Sequence, residues 1–311
     1  MGRLLRLQIP VDMSIKILVT GASGQLGREL NVIASRYPGY EFVFLDRSRL
    51  SVQDEAAVKM QLEQERPAYC INCAAYTAVD KAETEQAEAF AVNATAVGLL
   101  AKACRRAGVK LIHISTDYVF DGTATIPYKE DDQTNPVNLY GASKLHGEVL
   151  ALQNNPDTLI IRTSWLYSPF GNNFVKTMLR LMKEKECIQV VNDQAGAPTY
   201  GADLAEAIVE IIRSDKWSPG IYHYSNSGII SWFTFAMAIR SLSRSKCEVL
   251  PIPASGYLTP AKRPAYSVLS KDKIRNTYGV ALKPWEESLR ECIKILMQDD
   301  SGSKKAGRKN K

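Results

Sequence analysis

Residues 16–27 read KILVTGASGQLG, and the fold is decided there. Lys16 to Thr20 form a short apolar run that ends on glycine, the pattern of a strand buried on both faces of a parallel sheet. Gly21, Gly24 and Gly27 follow at three-residue spacing, and a helical pattern begins among them near Gln25. Between a first strand and a first helix, glycines so spaced allow a tight turn, admit an anion to main-chain N–H groups, and let the helix pack closely on the strand. The positive end of the helix dipole favours that anion. The stretch is a cradle for a pyrophosphate.

The alternation continues outward. Strands are predicted at 41–45, 69–74 and 110–115, with helices at 54–65 and 83–107 between them. After an irregular stretch from Gly122 to Asn138 come a helix at 139–153, a strand at 158–162, a helix at 172–185, a strand at 187–191 and a helix at 202–213. This rhythm predicts an α/β fold, a doubly wound, Rossmann-like parallel sheet with helices on both faces. Beyond Ser214 it loosens, with helices near 231–244 and 285–298, as expected of a smaller C-terminal substrate-binding lobe. The expected domains are 14–165 for dinucleotide binding, rejoined by 187–213, and 166–186 with 214–298 for the lobe. Residues 1–13 and 299–311 are expected to be disordered ends.

Of the net charge of +6, five charges lie on Lys304, Lys305, Arg308, Lys309 and Lys311 and one on residues 1–13, so the body is formally neutral. A basic tail on a neutral body argues against nucleic-acid binding, which needs a basic face on the fold itself. No uninterrupted apolar run reaches the roughly 18 residues of a membrane span, and the head MGRLLRLQIPVDMS is too short and polar for a signal peptide. Arg6 stands where a myristoylation signal needs Ser or Thr. Six scattered cysteines suit a reducing compartment, and the expected location is the cytoplasm. Cys70 and Cys73 fall on a strand at an offset that sends their sulfurs to opposite faces, which argues against a metal or redox pair.

Asp46 ends the second strand roughly 20 residues beyond the cradle, where a carboxylate would accept hydrogen bonds from an adenosine ribose, as with NAD. Its neighbour Arg47 would instead hold a 2′-phosphate, as with NADP, so NADPH and NADH both stay open. Tyr140 and Lys144 stand four apart at the start of a helix and so share a face. A free phenol titrates near ~10, and a neighbouring cation favours its ionised form. The segment Ser115-Thr116-Asp117 ends a strand at the sheet edge where ligands bind in open α/β folds. The Thr116 hydroxyl there would bond the phenol or a substrate carbonyl. A phosphate cradle, a phenol–ammonium pair and that hydroxyl together describe a ketone-reducing site.

These motifs, in this order, resemble those of the extended short-chain dehydrogenase/reductase superfamily. Six further segments narrow the resemblance: NCAAYTAVDKAE (72–83), STDYVFDG (115–122), YGASKLHGE (140–148), RTSWLYSPFGNNF (162–174), NDQAGAPT (192–199) and KRPAYSVL (262–269). They are similar to the dTDP-4-dehydrorhamnose reductase family, from about Lys16 to Met297. The resemblance implies hydride transfer from NADPH or NADH to a 4-keto sugar on a nucleotide. Tyr140 would be the proton donor, Lys144 its partner and Thr116 its tuning hydroxyl. Gly21, Gly24, Gln25, Leu26 and Gly27 would hold the pyrophosphate, with Asp46 or Arg47 at the ribose and Leu50 and Ser51 by the adenine. Many members carry Asp where Leu50 stands. Ala74, Ala75 and Tyr76 would run along the middle of the cofactor. Thr116, Asp117, Trp165, Asn172, Asn173 and Arg263 would meet the sugar nucleotide; for Asn173 and Arg263, a helix cap and a surface ion pair are the competing roles. Some members bind magnesium through glutamates at a dimer contact. Glu29 fits one such position, but the set is incomplete and no metal is expected; a homodimer is left open. The 4,6-dehydratases of the superfamily place a second acid after the threonine's neighbour, where this chain has Tyr118. A non-catalytic relative, the regulatory β subunit of methionine adenosyltransferase, shares the Tyr and Lys, but TAVDKAE, RTSW and GNNF favour the reductase.

Overall fold

The computed structural model describes residues 14–307, with side chains through residue 298. In chain order the first half holds β1 (Ile15–Thr20), α1 (Gln25–Ala34), β2 (Tyr40–Leu45), α2 (Glu55–Glu65), β3 (Tyr69–Asn72), α3 (Val79–Ala82) and α4 (Gln86–Phe90). A π-helical turn over Ala91–Thr95 leads into α5 (Ala96–Ala107), followed by β4 (Lys110–Thr116), α6 (Leu139–Asn154), β5 (Leu159–Thr163) and β6 (Leu166–Tyr167). The second half holds α7 (Phe174–Glu184), β7 (Cys187–Val191), β8 (Ala195–Gly196), β9 (Thr199–Tyr200), α8 (Gly201–Arg213), β10 (Gly220–Tyr224), β11 (Ile230–Ser231), α9 (Trp232–Ser243), β12 (Glu248–Ile252), α10 (Asp272–Tyr278) and α11 (Trp285–Gly307).

Six strands form one sheet in the order β10-β5-β4-β3-β1-β2, every pair parallel. Alternation along β1 sends Ile17 and Val19 to one face and Leu18 to the other. On the first face they join Leu26, Leu30, Leu204 and Ile208, so α1 and α8 cover it. On the second, Leu18, Cys70, Leu111 and Ile160 pack with Val58, Leu100 and Ala151 from α2, α5 and α6. The strand order reverses between β1 and β3, and a crevice opens at such a switch point beyond the carboxyl ends of the strands. A separate core unites Val175, Met178, Ile188, Phe235, Ile239, Val249 and Leu289 into the smaller lobe.

The structure changes several expectations. Residues 187–191 do not rejoin the large sheet: β7 pairs with β12 in the lobe, and the sixth strand of the large sheet is β10. Both are short apolar runs, and periodicity carries no information about which sheet a buried strand enters. The helix of 187–213, α8, does pack on α1 as expected. The long helix expected from 83 starts at Gln86 and opens into the π turn at Ala91–Thr95. Gln86–Ala107 is apolar and long enough to meet a membrane-span criterion, although half of its apolar window is buried in the protein. Its apolar face supplies Val97, Leu100 and Ala101 to the core beside the sheet, which explains its composition. Residues 299–307 continue α11, where an unstructured end was expected, because a formed helix extends at little further cost. The disorder expected at 1–13 and 308–311 lies outside the described residues.

Glu148 of α6 meets Arg162 of β5 in a two-pronged pair, Nη2–Oε2 at 2.7 Å and Nε–Oε1 at 2.9 Å, with both side chains buried. Removing one partner leaves the other charge stranded in the core. Arg162→Met is therefore expected to lower unfolding stability by about 3–5 kcal/mol in urea melts, against under about 1 kcal/mol for breaking the exposed Arg180–Glu184 pair.

Candidate active site and cofactor groove

The cradle is built as its sequence requires. Gly21 adopts φ +65°, and a Cβ there would lie 2.5 Å from the backbone nitrogen of Ala74; a Cβ on Gly27 would lie 2.6 Å from the Gly21 carbonyl. The turn closes through Gly24 N–H to Gly21 O at 3.0 Å. Gly24 is the N-cap of α1 and brings no side-chain cap, so the first N–H groups of that helix are left for a ligand. Backbone this bare, at the positive end of a helix, fits a dinucleotide pyrophosphate.

From the cradle a groove runs both ways. One cavity, of about 250 Å³, is lined by Arg47, Leu50, Ser51, Ala74 and Tyr76 together with Val52, Gln53, Glu88 and Val92. The other, of about 540 Å³, holds Thr116, Asp117, Tyr140, Lys144, Trp165 and Asn172, with Gln25 and Leu26 on its wall. Gly24, Cys73 and Ala75 line both, which makes them one trough. Asp46 does not line it. Its Oδ1 accepts from the N–H and hydroxyl of Ser48 and from the N–H of Arg49, bonds that hold its carboxyl below the usual range. Arg47 faces the groove, with one weak, exposed contact to Glu88 at 3.5 Å.

Two of the cavity's residues, Tyr140 and Lys144, come from α6. Asn138 caps it, accepting from Gly141 N–H at 2.7 Å, and a Cβ on Gly141 would sit 2.1 Å from the Tyr118 carbonyl, so only glycine lets the helix start this close to β4. In the π turn, Asn93 accepts from Tyr76 N–H at 2.9 Å and donates to the Tyr76 carbonyl and to Ser143 Oγ, both at 3.0 Å. It thereby locks the groove wall to α6. A π turn is often found at such functional positions.

Lys144 is buried, 2% exposed, and Nζ donates to the Ile114 carbonyl at 2.7 Å. Burial lowers its pKa to about 8, with Glu148 and Cys73 opposing. Burial also pushes Tyr140 up to about 12, aided by the Asp117 charge and opposed by the Thr116 hydroxyl. Thr116 Oγ1 donates to Asp117 Oδ1 at 3.0 Å and accepts from Tyr118 N–H at 3.2 Å. Asp117 Oδ2 is buried with no partner at full hydrogen-bond geometry among the described residues, and the Ser267 hydroxyl is the group beside the carboxyl. Burial pushes this carboxyl up to about 7, against the hydroxyls of Ser267 and Thr116.

Trp165 takes φ +47°, a left-handed conformation that a bulky residue adopts only when its surroundings demand it. Its ring stacks on Trp232, centroids 3.5 Å apart and 10° from parallel, and both rings line the larger cavity. The sequence had not singled out Trp232, because it arrives from a distant helix and carries no motif. Asn173 is committed elsewhere: it caps α7 by accepting from Lys176 N–H at 3.1 Å and donates to Gln25 Oε1 at 2.9 Å. Arg263 lies outside the cavity wall and grips Asp80 at 3.0 and 3.1 Å, strapping two loops together. Glu29 is buried and accepts from Ser168 Oγ at 2.7 Å.

The sequence profile of the family described as RmlD substrate binding domain matches residues 15–298. The chain is 43% identical to the spore coat polysaccharide biosynthesis protein SpsK of Bacillus subtilis (strain 168), over 89% of this chain and 96% of that one. It is 42% identical to the dTDP-4-dehydrorhamnose reductase of Sinorhizobium fredii, over 91% and 98%. Among solved structures, the dTDP-4-dehydrorhamnose reductase of Bacillus anthracis in complex with NADP superposes with a TM-score of 0.86 at 41% identity, covering 90% of this chain and 99% of that one.

Asp117 supplies a sign-definite test. A carboxyl raised from 3.8 to about 7 leaves stability intact below its unfolded pKa and costs stability as pH rises through the folded value. Asp117→Asn removes that cost, so its stability should climb relative to the parent between pH ~4 and ~7, by about 2–4 kcal/mol, and then stay level. Parallel denaturant midpoints across that range check it.

Proposed function

This chain belongs to the RmlD substrate binding domain family, and on that footing we propose that it reduces the 4-keto group of dTDP-4-dehydro-L-rhamnose to give dTDP-L-rhamnose. It is an NAD(P)H-dependent oxidoreductase of nucleotide-sugar biosynthesis. The observation that carries this reading is Tyr140 and Lys144 facing Thr116 and Asp117 in the cavity that continues the pyrophosphate cradle. The six-stranded domain holds the cofactor, and the lobe built on β7 and β12 closes over the sugar nucleotide.

When bound, the nicotinamide supplies the hydride. The protein supplies the proton and the orientation. A phenol held up at about 12 keeps its proton at neutral pH, as a general acid must. Once Tyr140 has given that proton to the developing alkoxide, the Lys144 ammonium four residues on stabilises the phenolate. Thr116 bonds the Tyr140 phenol, and Asp117, which lines the same cavity, accepts from a sugar hydroxyl. The Trp165–Trp232 stack gives the flat remainder of the substrate an apolar wall. Arg47 in the groove, with Asp46 turned into its own loop, supports NADPH over NADH. All six cysteines are free thiols, which supports a reducing, cytoplasmic setting.

Tyr140→Phe should cut kcat by on the order of 10²–10⁴-fold in an NADPH-consumption assay on the 4-keto sugar nucleotide, while NADPH binding by fluorescence titration holds. Near-normal turnover would remove Tyr140 from the chemistry; a parent enzyme that binds NADPH yet reduces no 4-keto sugar would favour the non-catalytic subunit. Arg47→Ala should raise KM for NADPH about tenfold, the loss of one charge-assisted hydrogen bond, with little change for NADH.

A further inference from the structure

Beneath Lys144 lies a row of buried polar side chains that the reaction as described does not use. Thr20, Asn72 and His113 sit at the ends of β1 and β3 and within β4, and each is at most 1% exposed. Thr20 Oγ1 donates to Asn72 Oδ1 at 2.6 Å, and the Ala74 N–H donates to the same oxygen at 3.2 Å. Asn72 Nδ2 lies 3.0 Å from His113 Nδ1, and His113 Nε2 lies 3.4 Å from Lys144 Nζ.

The protons in this row follow by elimination. A backbone N–H only donates, so Ala74 fixes the carbonyl end of the Asn72 amide toward itself, and the NH₂ end must face His113. An amide NH₂ only donates, so His113 Nδ1 must accept. An imidazolium, which donates from both nitrogens, has no place there. Burial and the charge of Lys144 likewise hold His113 well below its usual range. The one proton of the neutral ring is therefore on Nε2, and it points at Lys144. An ammonium cannot accept it. Of the three Lys144 donors, one goes to Ile114 O, and none finds an acceptor at His113.

We propose that Asn72 and His113 are positioning residues for this reduction: Asn72 fixes His113 as its Nε2–H tautomer, and that N–H, facing Lys144, turns the remaining lysine protons toward Tyr140 and the groove. The proposal rests on the reductase reading above. The same opposed N–H loosens the hold of Lys144 on its proton, which eases return of a proton to the Tyr140 phenolate after each turnover. The other groups that act on Lys144 are Glu148 from α6, paired with Arg162, and Cys73 beyond β3, and Tyr140 lines the same cavity. None of them offers Nζ a neutral donor aimed as His113 does.

The direct test is ring-nitrogen NMR on protein with labelled histidine; the chain has three histidines, and His113→Gln identifies the signal. The proposal expects a neutral ring with its proton on Nε2, across pH 6–9. A proton on Nδ1, or an imidazolium, overturns it. Asn72→Asp is the second arm: the carboxylate keeps the bonds from Thr20 and Ala74 and can only accept at His113, so the ring proton shifts from Nε2 to Nδ1, donates to the carboxylate, and leaves a lone pair on Nε2 facing Lys144. The labelled Lys144 Nζ titration and the alkaline limb of kcat should then both move up by about one pH unit. A lower kcat with neither titration moved would mean that the pair only props up the fold. The NMR arms need no substrate, so absence of turnover in the parent would count against the reductase reading without obscuring the tautomer.

Discussion

Lys144 carries an amine almost wholly out of water, and burial by itself favours the neutral form. What holds the ammonium in place is local: the Ile114 carbonyl at 2.7 Å and the Glu148 carboxylate one turn along α6. Glu148 is buried too, and Arg162 on the adjacent β5 balances it through a two-pronged bond. The cost of one buried charge is thus passed along a chain of partners that ties α6 to the sheet. The cleft takes its shape from this chain. With α6 pinned by Asn138, Gly141 and Asn93, the phenol of Tyr140 has one place to go, beside Thr116 at the carboxyl edge of β4.

Burial also sets the division of labour in the cleft. It raises acids and lowers bases, so Tyr140 and Asp117 move up while Lys144 moves down. The phenol becomes a better-kept proton and the ammonium a looser one, so Lys144 is the stronger acid of the two and a phenolate at Tyr140 is readily reprotonated. Neither residue needs a metal partner or an unusual backbone for this. The strained backbone is instead at Trp165, where the cleft meets the second lobe.

The parts of this architecture visible in the sequence are those fixed by neighbours in the chain. The glycine cradle, the Tyr140–Lys144 spacing and the strand-end Thr116 are local patterns with local causes, and the fold brings them to one groove. What was hidden depends on distant partners. The exchange of β7 and β10 between sheets is decided by which core each short strand meets. Trp232 reaches Trp165 only through packing of α9, and the π turn at Ala91–Thr95 reflects what Asn93 must reach. Asn173 and Arg263 lie in segments that resemble the family, yet here they serve as a helix cap and a loop strap. For Asp46 and Arg47, adjacency left the cofactor open; in the fold the turn engages Asp46 Oδ1, and Arg47 lines the groove.

The central claim is that hydride arrives from the nicotinamide at the sugar C4 while the protein provides the proton. Reduction of dTDP-4-dehydro-L-rhamnose with NADPH carrying deuterium on the transferred position of the nicotinamide, followed by NMR of the product, tests it. The account predicts one deuterium, on C4 of a rhamnosyl product, and one equivalent of NADPH consumed. Deuterium at another carbon, deuterium retained on the cofactor, or conversion of the sugar without net NADPH consumption would contradict it.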